Sequence, residues 1–171
     1  MRKFQHPWTV AFWLVCASFC STAAQAQLAQ PKGPVVLTVS GKITQTNQGN
    51  TAVFDLDMLE NLQQRTTRTS TPWHTGVVEF KGPLGTALLK AVGAQGTQLV
   101  VAALNDYKSR VPVNDLSKHD VIFATQIDGK PIPLRNKGPL FLMYPFDEQP
   151  ELKTEMYFNR SVWQIKSVVV E

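Results

Sequence analysis

Short apolar runs of β-strand length, each ended by turn-forming residues, dominate this chain of 171 residues. The clearest is "LVVAAL" at 99–104, whose continuous apolar character is typical of a buried strand. A second signal is "DGK" at 128–130, which predicts a tight hairpin turn. Together these runs predict a mixed β-sheet. The other predicted strands are 35–43, 66–71, 76–80, 109–113, 121–127, 140–144 and 162–170.

Helical patterns are short and few. Residues 54–62 have Asp55 as a candidate N-cap, followed by leucines at helical spacing. Residues 83–92 begin with proline and are followed by Gly93, as expected at the two ends of a helix. A polar segment at 148–158 is compatible with a further helix. We therefore predict the α+β class: a single domain with a mixed β-sheet and a few short helices.

The first residues have the pattern of an export signal. A basic start is followed by the apolar run 8–19 and by an Ala-Gln-Ala cleavage site that ends at Ala26. The run is shorter than the roughly 18 apolar residues that indicate a membrane span. We expect 1–26 to be removed on export to the periplasm, 27–34 to be a flexible leader, and 35–171 to form the domain.

Charge does not favour nucleic-acid binding. The chain has 17 basic and 13 acidic residues, and loss of Arg2 and Lys3 with the signal peptide leaves 15 against 13, a balance of +2. No block of lysines and arginines is present, and an exported protein rarely meets nucleic acid.

Several kinds of chemistry are disfavoured by residue type. Cys16 and Cys20 both lie in the predicted signal peptide, so the exported domain is expected to have no disulfide, thiolate metal site or cysteine nucleophile. His74 and His119 lie far apart in the sequence, with no carboxylates in ligand spacing, so no metal site is expected. Neither a G-x-S-x-G motif nor a complete phosphate-binding loop is present.

The stretch "TTRTSTPWHTG" at 66–76 is the first candidate site. It has the side chains of a polar pocket wall, namely Arg68, Thr69 and His74, with the large aromatic Trp73 at its lip. The alternative is an edge strand whose threonines suit a sheet and whose tryptophan packs at the rim of the core.

Two further clusters combine polar and aromatic side chains. Asn105, Asp106 and Tyr107 follow the buried strand at 99–104 and place an amide, a carboxylate and a phenol together; the alternative is a simple turn. Arg135 and Lys137 precede the apolar strand at 140–144, and the alternative there is a solvated hairpin end.

Three segments resemble the sulfite-oxidase-like molybdopterin-binding domain family. They occur in the order of that family, and the resemblance extends over about 35–171. It implies a sulfite-oxidase-like mixed β-sheet fold. The segments are "FKGPLGTALLKAVGA" at 80–94, "VAALNDYKSRVPVNDLSKHDVIFATQIDGKPIPLRNKGPLFLMYP" at 101–145 and "SVWQIKSVVV" at 161–170.

The chain departs from this family at the metal ligand. Enzymes of the family hold molybdenum through one cysteine, which falls close to 66–70, and no cysteine follows Cys20 here. A serine or threonine hydroxyl, with its far higher pKa, is a poor substitute for a thiolate. The chain is therefore more similar to a cysteine-free branch of small periplasmic pterin-binding proteins, the PruR type.

That resemblance implies a non-catalytic periplasmic receptor for a metal-free pterin. The receptor docks on and regulates an inner-membrane signalling partner, either a cyclic-di-GMP cyclase/phosphodiesterase or a sensor kinase. Two alternatives are a molybdopterin-dependent oxidoreductase with a non-cysteine ligand and an interaction module whose ancestral pocket is empty.

The chemistry of a pterin suggests a role for each candidate residue. Its flat bicycle needs an aromatic plate, and its 2-amino-4-oxo edge needs a carboxylate together with a donor for the carbonyl oxygen. We expect Trp163 to pack in the core. The ligand-binding set is Trp73 as the plate; Asp106 as the carboxylate, beside Asn105 and Tyr107; Arg68, Thr69 and His74 for the carbonyl and side-chain hydroxyls; and Arg135 and Lys137 for a phosphate, if the ligand carries one.

Overall fold

The computed structural model describes residues 28–171, so the predicted signal peptide at 1–26 lies outside the described residues. Within this range the predicted α+β class is confirmed. The strands are β1 Leu37–Gly41, β2 Ala52–Phe54, β3 Gln64–Thr71, β4 His74–Pro83, β5 Gln98–Ala103, β6 Lys108–Pro112, β7 Ile122–Ala124, β8 Gln126–Ile127, β9 Lys130–Pro131, β10 Phe141–Met143 and β11 Ile165–Val170. The helices are α1 Leu56–Glu60, α2 Gly85–Ala91, α3 Val113–Lys118 and α4 Glu155–Arg160, with 3₁₀ turns at Leu134–Asn136 and Pro150–Leu152.

A five-stranded sheet includes β5, the strand predicted from the apolar run at 99–104. Its order is β2-β1-β11-β5-β6, and β1 and β11 are its parallel pair. Val101 of β5 lies opposite Val168 of β11, and both are fully buried. The turn between β5 and β6, at one end of this sheet, carries the predicted cluster at 105–107.

A four-stranded antiparallel sheet of order β3-β4-β8-β9 carries the threonine-rich stretch. Along β3, Thr67 and Thr69 are fully buried whereas Arg68 between them is exposed, as expected for a strand with one face on the core. The β8–β9 hairpin turns at Asp128 and Gly129, whose φ angles are 48° and 72°, in agreement with the predicted Asp-Gly turn.

The single strand predicted at 121–127 is divided between two sheets. β7 pairs with β10 in a two-stranded sheet, whereas β8 pairs with β4. Between them, Thr125 donates its backbone N–H to the carbonyl of Lys81 (2.9 Å) and accepts from the N–H of Ile132 (3.0 Å). The chain therefore changes sheets at Thr125.

Helix α1 begins at the predicted cap. One carboxylate oxygen of Asp55 accepts the N–H of Met58 at 2.8 Å, and the other accepts from Lys32 at 2.6 Å and Gly33 at 2.8 Å. These hydrogen bonds, led by those from Met58 and Gly33, lower the pKa of Asp55. The described part of the predicted leader, 28–34, has no regular secondary structure and is tied to the domain at this carboxylate.

One contiguous apolar core joins the three sheets. It includes Val39 and Val101 of the five-stranded sheet, Phe80 of the four-stranded sheet, and Phe123 and Phe141 of the two-stranded sheet, all fully buried. No helix within the described range is long and apolar enough to cross a membrane.

Candidate functional site

A cavity of about 290 Å³ lies where three separate parts of the chain meet. One wall is the tip of the β3–β4 hairpin, the second is the β5–β6 turn, and the third is the end of α4 with the residues that follow it. The lining residues are Pro72 and Trp73; Ala103, Asn105 and Tyr107; and Phe158, Asn159, Ser161, Val162 and Trp163.

Trp73 is held at the hairpin tip by aromatic packing. Its ring centroid lies 5.4 Å from that of Phe141, 5.9 Å from that of Phe158 and 5.6 Å from that of Trp163. Its backbone N–H donates to Thr71 Oγ1 at 3.3 Å, which fixes the turn. The indole is only partly buried, so a rigidly supported aromatic surface borders the cavity.

Trp163 is partly buried: it packs against the core, as predicted, and it also lines the cavity. The Lys137 ammonium lies 4.8 Å from the centroid of its ring. This contact depends on backbone geometry, because Lys137 has φ of 75° and Gln164 has φ of 50°. The N–H of Gln164 donates to the carbonyl of Lys137 at 3.0 Å, so the two segments are fixed to each other.

The β5–β6 turn delivers two of its three predicted residues to the cavity. Asn105 Oδ1 accepts the N–H of Tyr107 at 3.2 Å, and the Tyr107 hydroxyl donates to the carbonyl of Asn159 at 2.9 Å. The Asn105 side-chain NH₂ has no partner within residues 28–171. Tyr107 thus bridges two walls, and the Asn105 amide remains able to donate.

Asp106, predicted as the carboxylate of the site, is not among the residues that line the cavity. It has φ of 64°, and its side chain is 82% exposed and paired with Lys166 at 2.7 Å. The hydrogen bond and charge of Lys166 lower the pKa of Asp106. The left-handed backbone at Asp106 places this side chain beside Lys166 of β11 instead of in the cavity.

The other predicted residues lie outside the cavity lining. Arg68 is exposed opposite Glu79 in the β3–β4 register, and Arg135 is exposed in the 3₁₀ turn. The Thr69 hydroxyl is fully buried, where it accepts the backbone N–H of Asp147 at 3.0 Å. The structure therefore brings Trp73, Asn105 and Tyr107 together, with Lys137 close by, and does not bring Arg68, Thr69, Asp106 or Arg135 to them.

His74 lies beside the cavity, on the other side of the hairpin tip. Its Nδ1 is 3.0 Å from Thr71 Oγ1, and its ring centroid is 5.5 Å from that of Phe80. Burial, followed by the positive charge of Lys137, lowers the pKa of His74, and Asp128 opposes this shift. The neutral imidazole is thus the preferred form at neutral pH, and it packs against Phe80 near the tip of the hairpin.

A buried polar network positions the third wall of the cavity, and none of its residues was among the predicted site residues. Asp115 Oδ2 accepts from Arg160 Nη1 at 2.8 Å and from the Tyr144 hydroxyl at 2.9 Å. Burial and the Asp115 carboxylate raise the pKa of Tyr144, so its phenol stays protonated and donates. Because Arg160 ends α4, this network fixes the helix that carries Phe158 and Asn159.

Cavity and fold together define a small domain of sulfite-oxidase-like architecture. The chain belongs to the family described as oxidoreductase molybdopterin binding domain, whose model matches residues 34–147. The predicted family is thereby confirmed. The match covers the hairpin and the β5–β6 turn, whereas α4 and Trp163 follow its last residue.

A solved structure with a similar fold is the sulfane dehydrogenase SoxCD from Paracoccus pantotrophus, with a TM-score of 0.60 and 16% sequence identity. The alignment covers 78% of this chain and 37% of that one, so this protein spans well under half the length of that structure. At this identity the likeness establishes the fold alone. No curated protein matches the chain.

A molybdopterin cofactor has a metal half and a pterin half, and the side chains of this protein fit only one of them. Residues 28–171 contain no cysteine, and the described residues include no group of three His, Cys, Asp or Glu able to hold a metal ion. The side chains present therefore do not fit the metal half. The aromatic and amide lining of the cavity does fit the flat, hydrogen-bonding pterin half.

Proposed function

We propose that this protein is a non-catalytic periplasmic receptor that binds a metal-free pterin in the cavity and regulates an inner-membrane signalling partner. The observation that carries the proposal is an aromatic cavity in a molybdopterin-binding family domain whose described residues lack the cysteine ligand. The cavity volume of about 290 Å³ suits a single bicyclic ring system with a short substituent.

The flat face of the ligand stacks on a tryptophan side chain. Stacking of a flat heterocycle on an aromatic side chain contributes roughly 1–3 kcal/mol, as judged from nucleic-acid bases. Trp73 is the plate, and Trp163 supplies a second surface inclined to the first by 66°. Packing against Phe141 and Phe158 holds Trp73 before the ligand arrives, which limits the entropy lost on binding.

Amides replace the expected carboxylate at the edge of the ligand. Asn105 and Asn159 line the cavity, and a side-chain amide offers one acceptor oxygen and two N–H donors. The adjacent N–H and C=O of the pterin pyrimidine ring are complementary to such an amide. We assign edge recognition to these two residues in place of Asp106.

Partner docking is assigned to the surface around the cavity mouth. Leu104, Tyr107 and Leu134 are large exposed apolar residues. Gln164 links the segments that carry these two leucines. Its backbone carbonyl accepts from the N–H of Leu104 at 2.9 Å, and its side-chain amide donates to the carbonyl of Leu134 at 2.7 Å. Because Tyr107 also lines the cavity, a ligand that shifts it changes this surface.

Calorimetric titration of the purified protein with reduced pterins tests the ligand. Saturable binding with a stoichiometry near one is expected, and it should weaken in Trp73→Ala. Absence of saturable binding to oxidised, dihydro and tetrahydro pterins would overturn the proposal. Docking is tested by pull-down with the periplasmic domain of a membrane cyclase/phosphodiesterase or sensor kinase encoded in the adjacent gene, with and without ligand.

A molybdopterin-dependent oxidoreductase is the second candidate, favoured by the family match and by the fold shared with a sulfane dehydrogenase. Elemental analysis of protein produced in a host that makes molybdopterin separates the two. The receptor predicts less than about a tenth of an equivalent of molybdenum, whereas the enzyme requires close to one equivalent per active chain.

A further inference from the structure

We infer that this protein binds the surface of anionic phospholipid membranes through a basic and apolar patch. The patch consists of three segments: 104–108 at the β5–β6 turn, 134–137 around the first 3₁₀ turn, and 164–166 at the start of β11. We call it the loop patch. The inference goes beyond the proposed function, because lipid binding requires neither a pterin nor a protein partner.

Gln164 holds the three segments of the loop patch together. Its backbone accepts from the N–H of Leu104 and donates to the carbonyl of Lys137, at 2.9 and 3.0 Å. Its side-chain amide donates to the carbonyl of Leu134 at 2.7 Å. Gln164 and Lys137 both have left-handed backbones, with φ of 50° and 75°, a conformation that side chains other than glycine keep only where the surroundings hold them. The three segments therefore form one preformed surface.

Large apolar side chains are concentrated in the loop patch. Leu104, Tyr107 and Leu134 are 47%, 45% and 57% exposed. They are three of the six large apolar residues that are exposed within 28–171; the other three lie in the leader, on β4 and on α4. An exposed apolar residue on its own is ordinary, whereas a cluster of them marks an interaction surface. Leucine and tyrosine suit the boundary between lipid headgroups and acyl chains.

The positive charge of the domain is also concentrated in the loop patch. Lys166 pairs with Asp106 at 2.7 Å, whereas Lys108, Arg135 and Lys137 have no ion-pair partner among the described residues. Four cations and one anion give the patch a net charge of +3. The rest of residues 28–171 has eleven cations and twelve anions, a net charge of −1. The patch is thus the surface that an anionic partner would approach.

An anionic bilayer is complementary to both properties of the loop patch. Its phosphates attract nearby lysines and arginines, and the attraction falls off within a Debye length of the surface. Its acyl chains accept apolar side chains that reach below the headgroups. A few cations and three apolar side chains predict reversible, salt-sensitive binding to the surface. The signalling partner proposed above is a membrane protein, so lipid binding would concentrate the two proteins in one plane.

Co-sedimentation of the purified protein with vesicles tests this inference. Neutral vesicles of phosphatidylcholine are compared with vesicles in which about one-third of the lipid is phosphatidylglycerol. At low salt we expect the anionic vesicles to bind at least about 10-fold more tightly than the neutral ones, and this preference should be lost at about 1 M salt. Arg135→Ser should weaken binding by about 5-fold, the effect of one cation near an anionic leaflet. Leu134→Ser should weaken it by at least about 5-fold, through lost apolar burial.

Two substitutions outside the loop patch are the matched controls. Lys118→Ser removes an exposed lysine on α3, and Val77→Ser removes an apolar side chain on β4 that is 58% exposed. Each should change binding by less than about 2-fold. Circular dichroism verifies that all four variants are folded.

Three results would overturn the inference: no binding to either kind of vesicle, equal binding to both, or equal losses in the patch and control variants. Each would leave the proposed function intact, because the assay contains neither pterin nor partner. If the wild type does not bind vesicles but Leu134→Ser weakens capture by the periplasmic domain of the partner, the loop patch is a protein interface and not a lipid-binding surface.

Discussion

The indoles of Trp73 and Trp163 lie 5.6 Å apart, centroid to centroid, and their planes are inclined at 66°. One comes from the β3–β4 hairpin tip and the other from the segment between α4 and β11. Because the planes are not parallel, the pair cannot sandwich a flat ring between two faces. The proposed bicyclic ligand would instead stack on one indole and meet the other at its edge, a geometry that aromatic pairs favour.

The first prediction concerns which tryptophan is the plate. Trp73→Ala should weaken pterin binding by about 5- to 150-fold, since stacking contributes roughly 1–3 kcal/mol. Trp73→Phe, which retains a ring, is the matched control and should lose less than about 5-fold. Titration calorimetry measures both, and far-UV circular dichroism verifies folding. A folded Trp73→Ala protein with wild-type affinity would assign the plate to Trp163.

The second prediction separates Asn105 from its neighbour Asp106. Asn105→Asp keeps the acceptor for the Tyr107 N–H but loses the side-chain NH₂, so ligand affinity should fall by about 10-fold or more. Asp106→Asn preserves a residue that tolerates the left-handed conformation and should change affinity by less than about 2-fold. The reverse order of effects in the same titration would restore the carboxylate assignment.

Local patterns were sufficient to predict most of the elements. The apolar run at 99–104, the Asp55 cap and the Asp-Gly turn each depend on a few neighbouring residues, and each is found in the structure. The division of 121–127 was not predictable in this way, because one apolar run is compatible with either sheet. The choice depends on the distant partners of the run, β10 and β4.

The residues that line the cavity could not all be predicted, because they depend on contacts between distant parts of the chain that local sequence patterns do not show. Asp106 was expected at the ligand beside Asn105 and Tyr107, yet its left-handed backbone places the side chain beside Lys166 of β11 and outside the cavity lining. Trp163 was expected to pack in the core, and it does, but its partly exposed ring also lines the cavity with Lys137 over it. Asn159 was missed because a polar residue late in a short helix resembles any solvated position.

A third prediction tests the buried pair that fixes α4. The side chains of Arg160 and Asp115 are 19% and 10% exposed. Arg160→Met should lower the free energy of unfolding by about 3–5 kcal/mol, because it leaves the Asp115 charge buried without its cation. Arg110→Met, in a pair with Glu171 whose side chains are 67% and 45% exposed, is the control and should cost less than about 1 kcal/mol.

Urea denaturation monitored by circular dichroism measures these changes. The double variant Asp115→Asn, Arg160→Met should be more stable than Arg160→Met alone, because it removes the unpaired charge. If Arg160→Met and Arg110→Met are equally stable, Arg160 does not fix the third wall of the cavity.

The fourth prediction concerns His74 and pH. Its pKa is lowered in the folded protein by burial and by Lys137, while in the unfolded chain it titrates near its ordinary value of about 6.5. Below about pH 6.5 the unfolded chain therefore binds the proton first, and stability decreases as pH falls until the folded protein also titrates. His74→Gln should remove this contribution and flatten the melting temperature between about pH 7 and pH 5. An unchanged slope in that variant would assign the pH dependence to other groups.

The last prediction uses Asp147, which ties β3 to the segment after β10. Its pKa is lowered to about 2 by hydrogen bonds from Lys153 and Ser70. A carboxylate with a depressed folded pKa stabilises the protein fully above the unfolded pKa of about 3.9, and loses that contribution as pH falls toward about 2. Asp147→Asn should therefore lower the melting temperature at pH 7 and weaken its decline between about pH 4 and pH 2. Lys153→Met removes the largest cause of the lowered pKa, so the folded pKa of Asp147 should move toward its unfolded value. The pH range over which Asp147 loses its stabilising effect should therefore become narrower at its acid end. If Lys153→Met instead unfolds in acid as the wild type does, Ser70 alone is sufficient to keep Asp147 charged.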